Sequence, residues 1–521
     1  MRRYPGALLT ISSVTALALG CTSPGLSTTS GGTGGMGTTS GGGAESSGGS
    51  NVTSDTPSAS EVNPVTDKPM PIAACNSLSA LSTPVFLSVP GARAMVSAAQ
   101  VRGILEAPGG ASTPPPGLSR AAEIFNYYHI DYPATAAPEV TLVAELVPSV
   151  NVHGDYLFQI ALQAPPSKAH PRRPTAVTIL VDTSQSMAGE PMLRANAAVR
   201  ALAASLNAGD VFNYLTTNPE LEPVHRVAEI EGDPGLFKAG DRISVSGSGA
   251  LGAGVERAYE QALGESSYRK DGINRLVVIT DGGSPASAIN ASVVAKHWEG
   301  PGIKLVGVGV GSAGGYNNAL LAAATTAGHG PSLYLDSVEE ADRALHVRFD
   351  EVMDEAVSDA YVSFSLPWLF KPALPESSLA ADQSFLTLSD LGRGRSMVFR
   401  HTVSMCPGVD LTQVGDLPIE IMTSWRVPGM ADRHELKTTL HLKDVLLEKP
   451  TSQTLKASAI IAFGNALQSL DSARFHDACK KVAAARANAS MTSNDPVGDP
   501  ELDSILKQLV AHPLMKDQTC P

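Results

Sequence analysis

Between residues 175 and 335 the hydrophobic positions fall into short unbroken runs, among them "LVVIT" at 276–280 and "IKLVGVGV" at 303–310. Runs of this length predict strands buried on both faces, and the full set lies at 175–182, 210–216, 275–280, 303–310 and 331–335. Between the first two strands, Met192, Ala195, Val199, Leu202 and Leu206 recur in steps of three and four and form one apolar helical stripe. Ser337 and Glu340 stand at capping-box spacing before another helix. Strand and helix alternate throughout, which predicts an α/β domain over 171–357: a doubly wound, mostly parallel sheet with helices on both faces.

The pattern differs on either side. Residues 75–170 predict a small α+β module, with helical spacing across Ala92–Ala107, a break at Pro114–Pro116 and a short helix in "SRAAEIFNYY". Two alternating strands, "VTLVAELV" and "DYLFQIALQA", complete it. Over 358–449, short alternating runs such as "AYVSFSLP" and "LPIEIMTSW" predict an antiparallel β-sandwich, and 450–521 reads as helical. Residues 21–74 read as a tether, and from Thr22 to about Ser60 the chain is almost all Gly, Ser and Thr, too polar to bury a core. As a flexible coil of roughly 40 residues, such a tether reaches about 35 Å.

Composition narrows the function. The 521 residues carry a net charge of −13 and show no Lys/Arg run, which argues against a nucleic-acid partner. Arg2 and Arg3 precede the short apolar stretch "ALLTISSVTALALG", and Cys21 follows it. This arrangement over residues 1–20 resembles a bacterial lipoprotein signal. The resemblance implies lipidation of Cys21 and a place in the cell envelope, held to the membrane by the lipid alone. Thr22 after the cysteine gives no acidic retention signal, which leans toward the outer membrane. The other four cysteines, Cys75, Cys406, Cys479 and Cys520, allow three pairings in an oxidising compartment; Cys479–Cys520 with Cys75–Cys406 is the expected one.

The candidate chemistry lies where strands end. The run "VTILVDTSQSM" finishes on Asp182, with Ser184 and Ser186 just beyond, and "LVVITDGG" finishes on Asp281. Ligands of open α/β sheets bind outside the carboxyl ends of the strands, and Mg²⁺ takes oxygen donors. Two hydroxyls bound directly, with two aspartates acting through water, would leave the ion open to an acidic side chain from a partner. A turn and a helix cap would account for Asp182 and the serines singly, but less well for two acids at two strand ends.

"DTSQSM" and "TDGG" resemble the metal-site motifs of von Willebrand factor A (VWA) domains, and the likeness spans 175–356. "SRAAEIFNYYHIDYP" ahead of it resembles the N-terminal segment of bacterial VWA lipoproteins. The resemblance implies a metal-ion-dependent adhesion site (MIDAS) with Asp182, Ser184, Ser186 and Asp281 around one Mg²⁺ or Mn²⁺ per domain. It also implies a non-enzymatic role, binding a protein that carries an exposed acidic residue. In one element the chain departs from the family: the usual Gly-Gly-Thr is replaced by "SGSGALGAG", with Gly249 in the threonine's place and Ser248 as the nearest hydroxyl. A metal-free interaction module is therefore the first alternative. Gln185 also replaces the usual glycine of the first motif.

A nucleotide-dependent enzyme is the second alternative. Gly309-x-Gly311-x-x-Gly314 follows a strand, with Asp336 at about the distance of a ribose-binding acid. Against it, the fingerprint stands near the end of the α/β unit instead of opening it. Ser267-x-x-Lys270 lies in a charged stretch read as an exposed loop, and the twelve histidines show no metal-binding spacing and read as surface or locally bonded residues.

Overall fold

The strand Thr175–Val181 lies at the middle of a six-stranded sheet, every one of its residues buried. The computed structural model describes residues 7–10, 85–87, 94–107, 112–133, 140–149, 154–166, 172–236, 244–247, 250–372, 389–428, 430, 432–492, 498–516 and 520. Across the sheet the order is Ser332–Tyr334, Lys304–Gly309, Ile273–Thr280, Thr175–Val181, Val211–Thr216 and Val224–Val227. All pairings are parallel except the last, an antiparallel edge strand that the sequence pattern did not predict. The chain runs from Thr175–Val181 to one side and returns on the other, so the topological switch point lies between Thr175–Val181 and Ile273–Thr280. Helices Glu190–Ala204, Leu251–Ala262, Ala291–Glu299 and Ala319–Ala327 flank the sheet.

The flanking sheets join what the sequence pattern assigns to two modules. Asp155–Gln163 pairs antiparallel with Ser396–Met405 over its whole length, from Ser396 opposite Gln163 to Ser404 opposite Asp155. Thr141–Pro148 pairs on the other side of Asp155–Gln163, and Ala7–Thr10, within the stretch read as an export signal, pairs with Thr141–Ala144. A second antiparallel sheet holds Val85–Leu87, Ser389–Gly392, Glu355–Ser365, Pro418–Arg426 and Arg433–His441. One apolar core is built from both, with Phe158 packed edge-to-face on Phe364. The α/β domain is thus an insertion between two strands of one sandwich. Its inbound and outbound segments are tied at buried Asp354, which pairs with Arg173 at 2.6 Å and with Arg393.

The helices Ser452–Ser469, Ser472–Thr492 and Pro500–Ala511 share the core of the α/β domain and of the helices Val96–Leu105 and Ala121–Tyr127. Cys479 and Cys520 form a disulfide. Cys406 is also disulfide-bonded, while its expected partner Cys75, the lipidation candidate Cys21 and the tether lie outside the described residues. Among the described residues no helix is long and apolar enough to cross a membrane.

Candidate functional site

Asp182 follows the central strand directly, its backbone N–H donating to the Ile279 carbonyl at 2.9 Å. Its side chain is 3% exposed. Oδ1 accepts the Ser184 N–H at 2.9 Å, and Oδ2 accepts the Thr280 hydroxyl at 2.8 Å. The carboxylate is therefore oriented from both sides. The turn that follows, Gln185–Met187, is anchored by buried Met187, which leaves Ser186 on the surface with its hydroxyl 3.1 Å from that of Ser184.

Asp281 ends the neighbouring strand and accepts the Gly283 N–H at 2.9 Å. Gly282 takes φ +76°, and a Cβ there would stand 2.9 Å from the Asn317 carbonyl oxygen and the Tyr316 ring, so the turn requires glycine. A Cβ on Gly283 would lie 3.1 Å from Asp281 Oδ1 and 3.4 Å from Ser186 Oγ. These two side chains thus converge from adjacent strands over a glycine with no bulk of its own. Asp182, Ser184, Ser186 and Asp281 form one cluster. Ser248 and Gly249 lie outside the described residues.

A row of hydroxyls that the apolar pattern does not mark lies beneath this cluster. Thr183 is fully buried. Its N–H donates to Thr217 Oγ1 at 3.0 Å, and its hydroxyl meets those of Thr217 at 3.1 Å and Ser246 at 2.9 Å. Its carbonyl accepts the N–H groups of Ser246 at 3.0 Å and Gly247 at 3.1 Å. The loop that leads to Ser248 is therefore docked on the motif by one residue. A signal was present: Thr183, Thr217 and Thr280 each stand within two residues of the carboxyl end of a parallel strand.

Among the described residues no three His, Cys, Asp or Glu side chains are grouped to hold a metal. The cluster offers two carboxylates and two hydroxyls, an all-oxygen set that suits a hard cation such as Mg²⁺ or Mn²⁺ better than a nitrogen- and sulfur-seeking one. The residues present fit such an ion.

Packing and pairing account for the rival motifs. A Cβ on Gly309 would overlap the Tyr316 ring, and one on Gly311 would overlap the Asp281 carbonyl, so packing requires both glycines. Asp336 is held by Arg102 through two bonds, Nε to Oδ2 at 2.7 Å and Nη2 to Oδ1 at 2.6 Å, and does not await a ribose. Ser267 is buried, contrary to the exposed loop expected for it, and donates to Asn213 at 3.3 Å.

Residues 176–344 match the family model of the von Willebrand factor type A domain. The chain is 28% identical over 280 residues to the uncharacterized protein YfbK of Escherichia coli (strain K12), covering 49% of this chain and 46% of that one. It spans about half the length of this curated relative. Among solved structures, a von Willebrand factor type A protein from Catenulispora acidiphila is 14% identical, with 73% of this chain and 97% of that chain covered and a TM-score of 0.37. Proximal thread matrix protein 1 of the mussel byssus, whose MIDAS holds zinc, is 16% identical, with 34% and 48% covered and a TM-score of 0.27. Domains of this family are typically non-enzymatic modules that bind protein partners, often through a divalent metal at the MIDAS. Residues 176–344 of this chain thus match the von Willebrand factor type A model, and the sheet they form has the VWA-type α/β fold.

Proposed function

We propose that this protein is a surface-tethered binding protein whose VWA domain docks a partner through a divalent cation. Ser184 and Ser186 supply direct hydroxyl donors, and Asp281 faces them from the next strand. Asp182, whose two oxygens already accept bonds from Ser184 and Thr280, acts through water. The ion, Mg²⁺ or Mn²⁺, supplies a positive centre that two water-separated carboxylates leave unsatisfied, and an acidic side chain of the partner completes it. The observation that carries this reading is the convergence of Ser186 and Asp281 over Gly283. The lipid on Cys21 and the tether over 21–74 belong to the same proposal and hold the folded body away from the membrane.

Thermal unfolding in EDTA and in excess Mg²⁺ or Mn²⁺, beside Asp281→Ala, tests it. At 100 times Kd a bound ion adds about 2.7 kcal/mol, or roughly 2–4 °C per kcal/mol for a domain of this size. The expected result is an ion-dependent rise that Asp281→Ala abolishes. An unchanged melting temperature in the wild type would favour the metal-free interaction module, the reading that Gly249 in the threonine's place supports.

A further inference from the structure

Three parts of the chain that are distant in sequence meet at one histidine. His129 follows the helix Ala121–Tyr127; Glu351 belongs to the short helix Phe349–Met353 at the end of the α/β unit; Glu501 opens the C-terminal helix Pro500–Ala511. Nε2 of His129 lies 2.8 Å from Glu351 Oε2, and Nδ1 lies 2.9 Å from Glu501 Oε1. The His129 backbone N–H donates to the other Glu501 oxygen at 2.8 Å. The imidazole is thus clasped between two carboxylates, each of them less than one-fifth exposed.

A neutral imidazole carries one N–H and one lone pair. It would satisfy one of these carboxylates and turn a lone pair toward the other at hydrogen-bond distance. Only the imidazolium donates to both. The surrounding charges agree. Arg348 pairs with Glu351, and Arg395 lies 3.0 Å from the same carboxylate. Lys456 stands 2.8 Å from both Glu501 and Asp499. Asp131, on the histidine's own segment, acts on Arg395. With His129 protonated, cations and carboxylates alternate through this cluster, which extends to Arg343, acting on Glu501, and to Glu340, acting on Arg348. Burial alone pulls the His129 pKa down, but the bonds to Glu351 and Glu501 outweigh burial and the repulsion from Arg395, so the net direction is upward from 6.5.

We propose that His129 is a proton-dependent latch that fastens the C-terminal helix Pro500–Ala511 to the short helix Phe349–Met353 at the end of the α/β unit. It is closed while the ring is protonated and loosens when the proton leaves. This inference does not depend on the metal site. The sign follows from the raised pKa: the contribution is complete below the unfolded value of 6.5 and is lost as pH rises through the folded value.

The test compares the full chain with His129→Gln and Glu501→Gln between pH 5.5 and 9, by thermal unfolding and by hydrogen exchange corrected for the chemical rate. At pH 5.5 the wild type should melt a few degrees above both variants, with residues 500–511 exchanging about tenfold more slowly than in either. With rising pH the His129→Gln gap should close and the Glu501→Gln gap should narrow to the part that Lys456 and the His129 backbone N–H carry, while exchange from 273–280 in the parallel sheet stays level. Gaps that hold constant from pH 5.5 to 9 would overturn the proposal, because the ring would then act as a neutral structural bond. If His129→Gln does not fold, Glu501→Gln keeps the ring and removes one charge. If neither folds, the wild type decides alone, and protection of 500–511 that ignores pH overturns the latch.

Discussion

Thr183→Val isolates the hydroxyl row under the metal-site motif. Valine has nearly the shape of threonine, so the substitution opens no cavity in a fully buried site. What it removes is the hydroxyl between Thr217 and Ser246. Ser246 is exposed, and its hydroxyl turns to water at little cost. Thr217 is 2% exposed, and its hydroxyl is left with only the Thr183 N–H. Leaving such a buried polar group short of a partner costs about 1–3 kcal/mol. Taking about 2 kcal/mol, the melting temperature in EDTA should fall by about 4–8 °C. Thr183→Ser supplies the control: it keeps the hydroxyl and loses one methyl group, worth about 1 kcal/mol. Circular dichroism melts of the three proteins should rank wild type above Ser and Ser above Val. A valine variant as stable as the wild type would refute the reasoning, since it would show that the hydroxyl holds nothing.

Other substitutions test neighbouring claims. Gly249→Thr restores the hydroxyl that the family places there, and Mn²⁺ titration followed by unfolding should show tighter binding than in the wild type. Gly309→Ala drives a methyl into the buried Tyr316 ring. It should cost about 1–3 kcal/mol by urea unfolding, while NADH fluorescence shows no binding to either protein. His512 is buried with its Nδ1 accepting the Leu514 N–H, and burial pushes its pKa down to about 4 from 6.5. Its contribution to stability is therefore complete above pH 6.5 and lost as pH falls toward 4. His512→Leu should flatten that part of the stability curve in urea unfolding at stepped pH. This window lies below the one in which the His129 latch opens.

The parallel sheet was legible because each strand carries its own evidence. "LVVIT" is apolar enough to be buried on both faces without reference to any other segment, and it falls within Ile273–Thr280. Asp182 and Asp281 were legible for the same reason, each ending such a run. The shared sandwich was not. Pairing Asp155–Gln163 with Ser396–Met405 depends on segments more than two hundred residues apart, and the alternation of either strand is the same whichever neighbour it meets. The edge strand Val224–Val227 was missed because its residues are half-exposed or exposed, and no apolar run marks it. His129 read as an ordinary surface or locally bonded residue, since its partners lie 222 and 372 positions away. The role of Thr183 depends on Thr217 and Ser246, 34 and 63 positions away, which no local pattern joins to it.

The insertion of the α/β domain into the sandwich bears on how a load applied at the cluster would be carried. The cluster of Asp182, Ser184, Ser186 and Asp281 lies at the carboxyl ends of the parallel strands, whereas the inbound and outbound segments meet at Asp354 near the opposite ends. A seven-residue strand such as Thr175–Val181 separates these poles by about 23 Å. Were a partner docked there as proposed, a pull on it would run along the strand axis and leave through two covalent connections in parallel. Each connection would carry part of the tension, with the paired Arg173, Asp354 and Arg393 holding them together as one waist. From there the force would enter the long antiparallel ladders of Asp155–Gln163, where many hydrogen bonds share it. A domain strung between two flexible linkers would swivel under such a pull; this one is mounted to resist it.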